Sequence, residues 1–209
     1  MGIKERKERE REEMRKLILN AANEIITTEG FDNLSVRKIA NKIEYSPSII
    51  YHYFQDKEDI VNSLMKNSYD KILDTLTSAQ ISSKDPVEIM RKMAKNYINL
   101  TIKTSEEYKN IMLNSSPAIL EHTSVLFQGA SNKRKAIAML CKCLKDVYSS
   151  MNDNNIELTA QIIWCAMFGL TMRLITETNI NEEQRNKLIN HHIKCIIDGM
   201  ILGTPLDSN

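Results

Sequence analysis

Between Ser46 and Lys57 the chain gathers two phenols, an imidazole and an ammonium, on Tyr51, His52, Tyr53 and Lys57, with the hydroxyls of Ser46 and Ser48 just ahead of them. Such groups donate hydrogen bonds to anionic oxygens, so the chemistry they suit is gripping phosphate. A second grouping is His191, His192 and Cys195 near the end of the chain. Steps of four and three residues let one or other histidine share a cation with the thiolate on a helix. A third and fourth ligand are not visible nearby, and only Cys165 from a distant segment offers one, so no metal is expected. Ser35 and Lys38 match a serine–lysine pattern by letter. A helix cap explains that pair better. The chain has no glycine-rich phosphate loop, no nucleophile elbow and no paired-histidine metalloprotease motif, so catalysis and a cofactor are not expected.

The elements that must position the first grouping read as helices. Only 6 Gly and 4 Pro punctuate 209 residues, and apolar residues recur at three- and four-residue steps from Leu17 onward. Leu17, Ile18, Ala21, Ala22, Ile25 and Ile26 form one face of a first helix, and Gly30 supplies a left-handed stop. Ser35 caps a short second helix bearing Val36, Ile39, Ala40 and Ile43. Ser46-Pro47 opens a third that runs through Ile49, Ile50 and Tyr51 to Phe54. A fourth starts at Asp56 and reaches about residue 78.

Two short helices about three residues apart, the second opened by a polar cap, have the geometry of a helix-turn-helix, whose second helix enters the major groove of DNA. Arg37, Ser46, Pro47, Ser48, Tyr51, His52, Tyr53 and Lys57 then face outward, while Ile39, Ala40, Ile43, Ile49, Ile50 and Phe54 hold the pair against the first helix. Charge gives no independent sign of a nucleic-acid partner. Net charge is +1, and residues 1–60 hold 11 Lys+Arg against 12 Asp+Glu. Residues 1–14 form a charged helical extension. It reads first as a solvated surface arm; in the alternative, an arm that approaches DNA, Lys4, Arg6, Lys7 and Arg9 would meet phosphates, against which the interleaved glutamates count.

Gly30-Phe31, Leu34-Ser35-Val36-Arg37-Lys38-Ile39-Ala40, Ser46, Tyr51, Tyr53-Phe54 and Lys57-Glu58 resemble, in identity and spacing, the TetR/AcrR family of bacterial one-component transcriptional regulators over roughly the first 65 residues. The resemblance implies an all-α chain with a three-helix DNA-binding head at 1–56 and a ligand-binding and dimerisation body at 57–209. It implies phosphate contacts at Ser35, Tyr51, Tyr53 and Lys57 and base contacts at Pro47, Ser48 and His52, with Arg37 a further candidate. The sequence departs from the family at the turn, Ile43-Glu44-Tyr45, where a small residue, a glycine and a short aliphatic are usual. Pro47 and Ser48 depart from it as well.

The implied partners are double-stranded operator DNA, a small hydrophobic effector and a second copy of the chain. Adaptable side chains in the body, Met90, Met93, Tyr97, Met112, Phe127, Trp164, Met167 and Phe168, are the candidate effector contacts. The long terminal helices at 156–178 and 182–202 are the candidate dimer interface, because the first is apolar on too many sides for one chain to cover. Asp85-Pro86 opens a helix with Met90, Met93, Tyr97 and Leu100 inward. Residues 105–128 read as two short helices, 131–151 as one, and the last helix is expected to end at Gly203. The apolar run Ile162–Leu170 is too short to cross a bilayer, no signal peptide is apparent, and Cys141, Cys143, Cys165 and Cys195 form no CxxC pair. A cytoplasmic protein without a membrane partner is therefore expected. The rivals are a metal- or redox-responsive regulator of the same fold and a helical interaction protein that never binds DNA.

Overall fold

The computed structural model describes residues 2–81, 83–115, 117–177 and 179–199, and among these every regular element is helical. The helices are α1 Ile3–Glu29, α2 Val36–Lys42, α3 Pro47–Tyr51, α4 Lys57–Ile81, α5 Pro86–Lys103, α6 Ser105–Met112, α7 Pro117–Thr123, α8 Ala130–Lys133, α9 Lys135–Val147, α10 Asp153–Thr176 and α11 Glu182–Ile193. A 3-10 turn at Phe31–Asn33 follows α1, and a wider π-helical turn at Lys194–Asp198 follows α11. The expected end of the last helix at Gly203 lies outside the described residues.

The chain forms two compact units. The first comprises Met1–Tyr69 and Glu106–Thr123. Its core is built from Ile18, Leu19, Ala21, Ala22, Ile25 and Ile26 of α1, Leu34, Ile39, Ala40, Ile50 and Phe54, and Ile60, Val61, Leu64 and Met65 of α4. Ile119 of α7 is fully enclosed in the same cluster and Ile111 of α6 packs against it. Sequence periodicity gave no sign of this attachment of 106–123 to the head. Asn110 also donates to the Ile26 carbonyl at 3.2 Å, Ser68 to Glu107, and His122 Nε2 lies 3.0 Å from Asn62 Oδ1.

The second unit comprises Asp70–Ser105 and Ser124–Asn209. Here α5 packs on α9, α10 and α11, and α9 packs on α10. Met90, Met93, Ala94, Tyr97 and Ile98 of α5 are buried, as are Ile137, Leu140 and Leu144 of α9 and Ile156, Ala160, Ile163, Trp164 and Met167 of α10. Two polar residues on α10 fix the preceding loop. Glu157 accepts from Gly129 N at 2.7 Å, Ser131 N at 2.8 Å and Ser131 Oγ at 2.5 Å, while Gln161 donates to the Val125 and Phe127 carbonyls. The α10 helix is long and apolar enough, by length and composition, to cross a membrane, a longer stretch than Ile162–Leu170. Its inward face is occupied by α5 and α9, which marks a core helix.

Several boundaries differ from the sequence expectation. The charged extension and the first amphipathic helix are one helix, because nothing between Arg11 and Lys16 interrupts it. The expected 131–151 helix is split into α8 and α9 at Arg134, whose side chain turns to the Ser124 carbonyl. Asn152 caps α10 directly by accepting from Asn155 N, so that helix starts three residues before Ile156. The expectation of two short helices in 105–128 matches α6 and α7.

Candidate nucleic-acid interface

Local chemistry sets the helix-turn-helix. Ser35 Oγ accepts from Lys38 N at 3.2 Å and starts α2 as an N-cap. Helix α2 ends in a Schellman arrangement, with Tyr45 N bonded to the Ala40 carbonyl at 2.9 Å and Glu44 N to the Asn41 carbonyl at 3.3 Å. That motif requires a left-handed residue between them, and Glu44 supplies it with φ +60°. Gly30 also has positive φ, +87°, but with ψ 160° it stands in an extended region open to glycine rather than in the left-handed helical one expected.

The third helix is shorter than expected, ending at Tyr51 instead of Phe54. His52, Tyr53 and Phe54 continue as a tight turn closed by Tyr53 N to the Ile50 carbonyl at 2.9 Å, and this swings Phe54 into the core. Ser46 makes no backbone cap bond; its hydroxyl pairs with that of Ser48 at 2.7 Å, and Pro47 presets the first turn.

This geometry leaves Arg37, Ser46, Pro47, Ser48, Tyr51 and His52 exposed, and Ser35, Tyr53 and Lys57 half-buried at the edges. Lys57 Nζ sits 5.1 Å over the Phe31 ring, which orients the ammonium at the start of α4. Tyr53 packs against the head core through its ring. The other lysines of α2 are engaged with α1, Lys38 to Glu29 at 2.5 Å and Lys42 to Glu24 at 2.6 Å. Arg37 has no ion pair among the described residues. Lys57 likewise has no ion pair among the described residues.

Two site residues escaped the sequence reading. Arg15, just past the charged extension, donates to the Tyr53 carbonyl at 2.5 Å and stacks 4.2 Å over the Phe54 ring. It fastens the end of the recognition turn to α1. Tyr45, in the turn, is exposed beside the outward set. A side chain able to reach across helices gives no local periodic signal.

The candidate effector residues fall in different places. Met90, Met93, Tyr97, Trp164 and Met167 are buried in the second unit, with the Tyr97 and Trp164 rings 5.0 Å apart. Phe168 is half-buried and Met112 lies on α6 in the first unit. Phe127 lines an open groove with Leu126, Leu158, Ile162 and Cys165. Of the last grouping, His191 Nε2 lies 3.4 Å from Cys195 Sγ, whereas His192 turns inward to the backbone at Ala166, and burial lowers its pKa. Burial raises the thiols of Cys141 and Cys143 to about 11, which disfavours the reactive thiolate.

A short helix, a left-handed turn and a second helix with an outward polar face, seated on a three-helix core, define a helix-turn-helix protein. Residues 18–64 match the family of bacterial regulatory proteins, tetR family. The chain is 28% identical over 116 residues to an uncharacterised HTH-type transcriptional regulator of Mycobacterium tuberculosis, covering 55% of this chain and 49% of that one. It therefore spans about half the length of that relative. With the HTH-type transcriptional regulator PksA of Bacillus subtilis it is 22% identical over 196 residues, covering 91% of this chain and 93% of PksA. Among solved structures it resembles the fatty acid degradation regulator FadR of Bacillus halodurans, with a TM-score of 0.68, 17% identity and coverage of 89% and 95%. The Thermus thermophilus FadR repressor in complex with lauroyl-CoA gives a TM-score of 0.61 at 15% identity, covering 93% and 99%. The match to the tetR family model covers the DNA-binding head, and the likeness to solved structures extends the shared fold over the rest of the chain.

Proposed function

We propose that the protein is a ligand-responsive, DNA-binding transcriptional regulator, a cytoplasmic repressor that leaves a palindromic operator when a small hydrophobic effector binds. The observation that carries this is the outward polar face of the helix-turn-helix, Arg37, Ser46, Ser48, Tyr51 and His52, flanked by Tyr53 and Lys57 at its edge. Tyr51, Tyr53, Ser35 and Lys57 act on phosphates. Pro47, Ser48, His52 and Arg37 read base edges in the major groove, with Pro47 restricted to apolar contact because it has no donor.

A two-fold dimer supplies two such faces at the spacing of successive half-sites. Leu158, Ile162, Cys165 and Gly169 recur along α10 at steps of four, three and four, all exposed, with Leu158 and Ile162 50% and 59% accessible. An apolar stripe on a helix whose other side is buried suits a second copy of itself. Helix α11 completes the proposed interface.

The effector reading rests on the methionine- and aromatic-rich second unit and on the likeness to fatty-acid regulators, one of them solved with lauroyl-CoA. An acyl-CoA is the effector class this favours. Only a ligand that prefers the non-binding state can release DNA. The chain routes from body to head are α4, which opens at Lys57, and the segment 106–123, whose Ile119 is part of the head core. The test is to select genomic fragments with the purified protein and challenge the complexes with lauroyl-CoA. Release by lauroyl-CoA and not by coenzyme A supports the whole reading. Enrichment without release removes the effector class, and no enrichment removes the DNA reading.

A further inference from the structure

The first three turns of α1 stand in solvent. Residues 3–13 are exposed on every side, yet they continue the helix that anchors the head. A free-standing helix of this length is marginal in water, so the anchored part of α1 holds the extension in shape and direction. Arg6 and Arg9 are consumed by Glu10 and Glu13, at 3.3 and 3.8 Å. Lys4, Lys7 and Arg11 have no ion pair among the described residues. With Arg15 they fall at steps of three, four and four along one helical face, which Glu8 and Glu12 border on one side. Adjacent like charges at such steps disfavour a helix, so an anionic partner would relieve the stripe.

Arg15 fixes where the stripe begins. Its guanidinium lies on the Tyr53 carbonyl and the Phe54 ring, at the end of the recognition turn. The stripe therefore runs outward from the proposed phosphate clamp. From Arg15 to Lys4 it extends about 16 Å at 1.5 Å per residue, the length of roughly five base pairs.

We propose that Lys4, Lys7 and Arg11 form a second phosphate-binding surface, a rigid helical outrigger that grips duplex DNA beyond the segment held by the helix-turn-helix. This rests on the DNA-binding reading above and adds a site to it. The surface reads no bases. It adds salt-dependent affinity and lengthens the protected segment at its flank, which compensates for a head whose net charge gives little non-specific attraction.

The test compares the full-length protein with the triple variant Lys4→Gln/Lys7→Gln/Arg11→Gln. The control is Arg6→Gln/Arg9→Gln, and circular dichroism verifies equal helix content. Binding to a fluorescent 40-base-pair mixed-sequence duplex is followed by anisotropy across a potassium chloride series. The proposal expects the slope of log affinity against log salt to fall by about 2–3 per bound chain in the triple variant, from three lost phosphate contacts. The control should change it by less than half as much. An unchanged slope in the triple variant overturns the proposal while leaving the helix-turn-helix intact. Equal losses in triple variant and control also overturn it, because bulk charge would then explain the effect. Failure of the wild type to bind this duplex, or any fragment selected from the genome, at any salt overturns both readings.

Discussion

Replacing Glu44 by glycine should make the protein more stable. Glu44 holds φ +60° because the end of α2 needs a left-handed residue between Asn41 and Tyr45, both of which complete the closing hydrogen bonds. A residue with a Cβ spends about 1–2 kcal/mol in that conformation. Glycine enters it freely but loses about 0.5–1 kcal/mol more backbone entropy on folding. The balance favours Glu44→Gly by about 0.5–1 kcal/mol. For cooperative unfolding of a chain this long, that raises Tm by roughly 1–4 °C. Glu44→Ala is the informative companion, since it removes the carboxylate and keeps the Cβ, and it should gain nothing. Thermal melts followed by circular dichroism at fixed pH and salt measure both. A glycine variant melting at or below wild type would refute the reasoning. So would an alanine variant that gained as much, because charge and not backbone would then be the source.

Three further outcomes follow from single contacts. Glu157→Gln should destabilise the second unit by about 1.5–3 kcal/mol in chemical denaturation, because the amide cannot accept the three donors from Gly129 and Ser131 as a carboxylate does. The Ser131 hydroxyl and backbone amides hold the Glu157 carboxyl below its ordinary 4.5. Its contribution is therefore present above about pH 4.5 and lost as pH falls through the lower folded value, so the gap between wild type and variant should close in acid. Arg15→Lys should cost about 1 kcal/mol in melts and weaken DNA binding through the recognition turn, since an ammonium cannot both stack on Phe54 and bond the Tyr53 carbonyl as the planar guanidinium does. An equally stable lysine variant would contradict this. Leu158→Glu with Ile162→Glu should yield a monomer in sedimentation, and Cys165 should react faster with a thiol reagent in that variant than in wild type. A variant that stays dimeric removes α10 from the interface.

What could be read in the chain was local. Ser35 and Asp85 each accept a backbone hydrogen bond, from three and two residues onward, and that chemistry is written in nearby letters. The helix-turn-helix was legible for the same reason, and its outward residues are largely those named from spacing. The end of the third helix was misjudged because a tight turn and a helix place Phe54 inward at similar spacing. Arg15 and Glu157 were missed because their partners lie 38 and 26–28 residues away. The membership of 106–123 in the head core was equally invisible, since Ile119 looks like any helical apolar residue until the long-range packing is known. Met90, Met93 and Tyr97 illustrate the ambiguity of adaptable residues, which serve a packed core and an effector pocket with the same pattern.

The central claim is that this head reads a duplex as a two-fold pair. DNase footprinting on a fragment selected from the genome, with wild type beside Tyr53→Phe/Lys57→Ala, tests it most directly. The account predicts two protected half-sites with centres about one helical turn, or a multiple of it, apart. The double variant should lose that protection at moderate salt. Protection that the double variant retains, or none at any salt with the wild type, would contradict it.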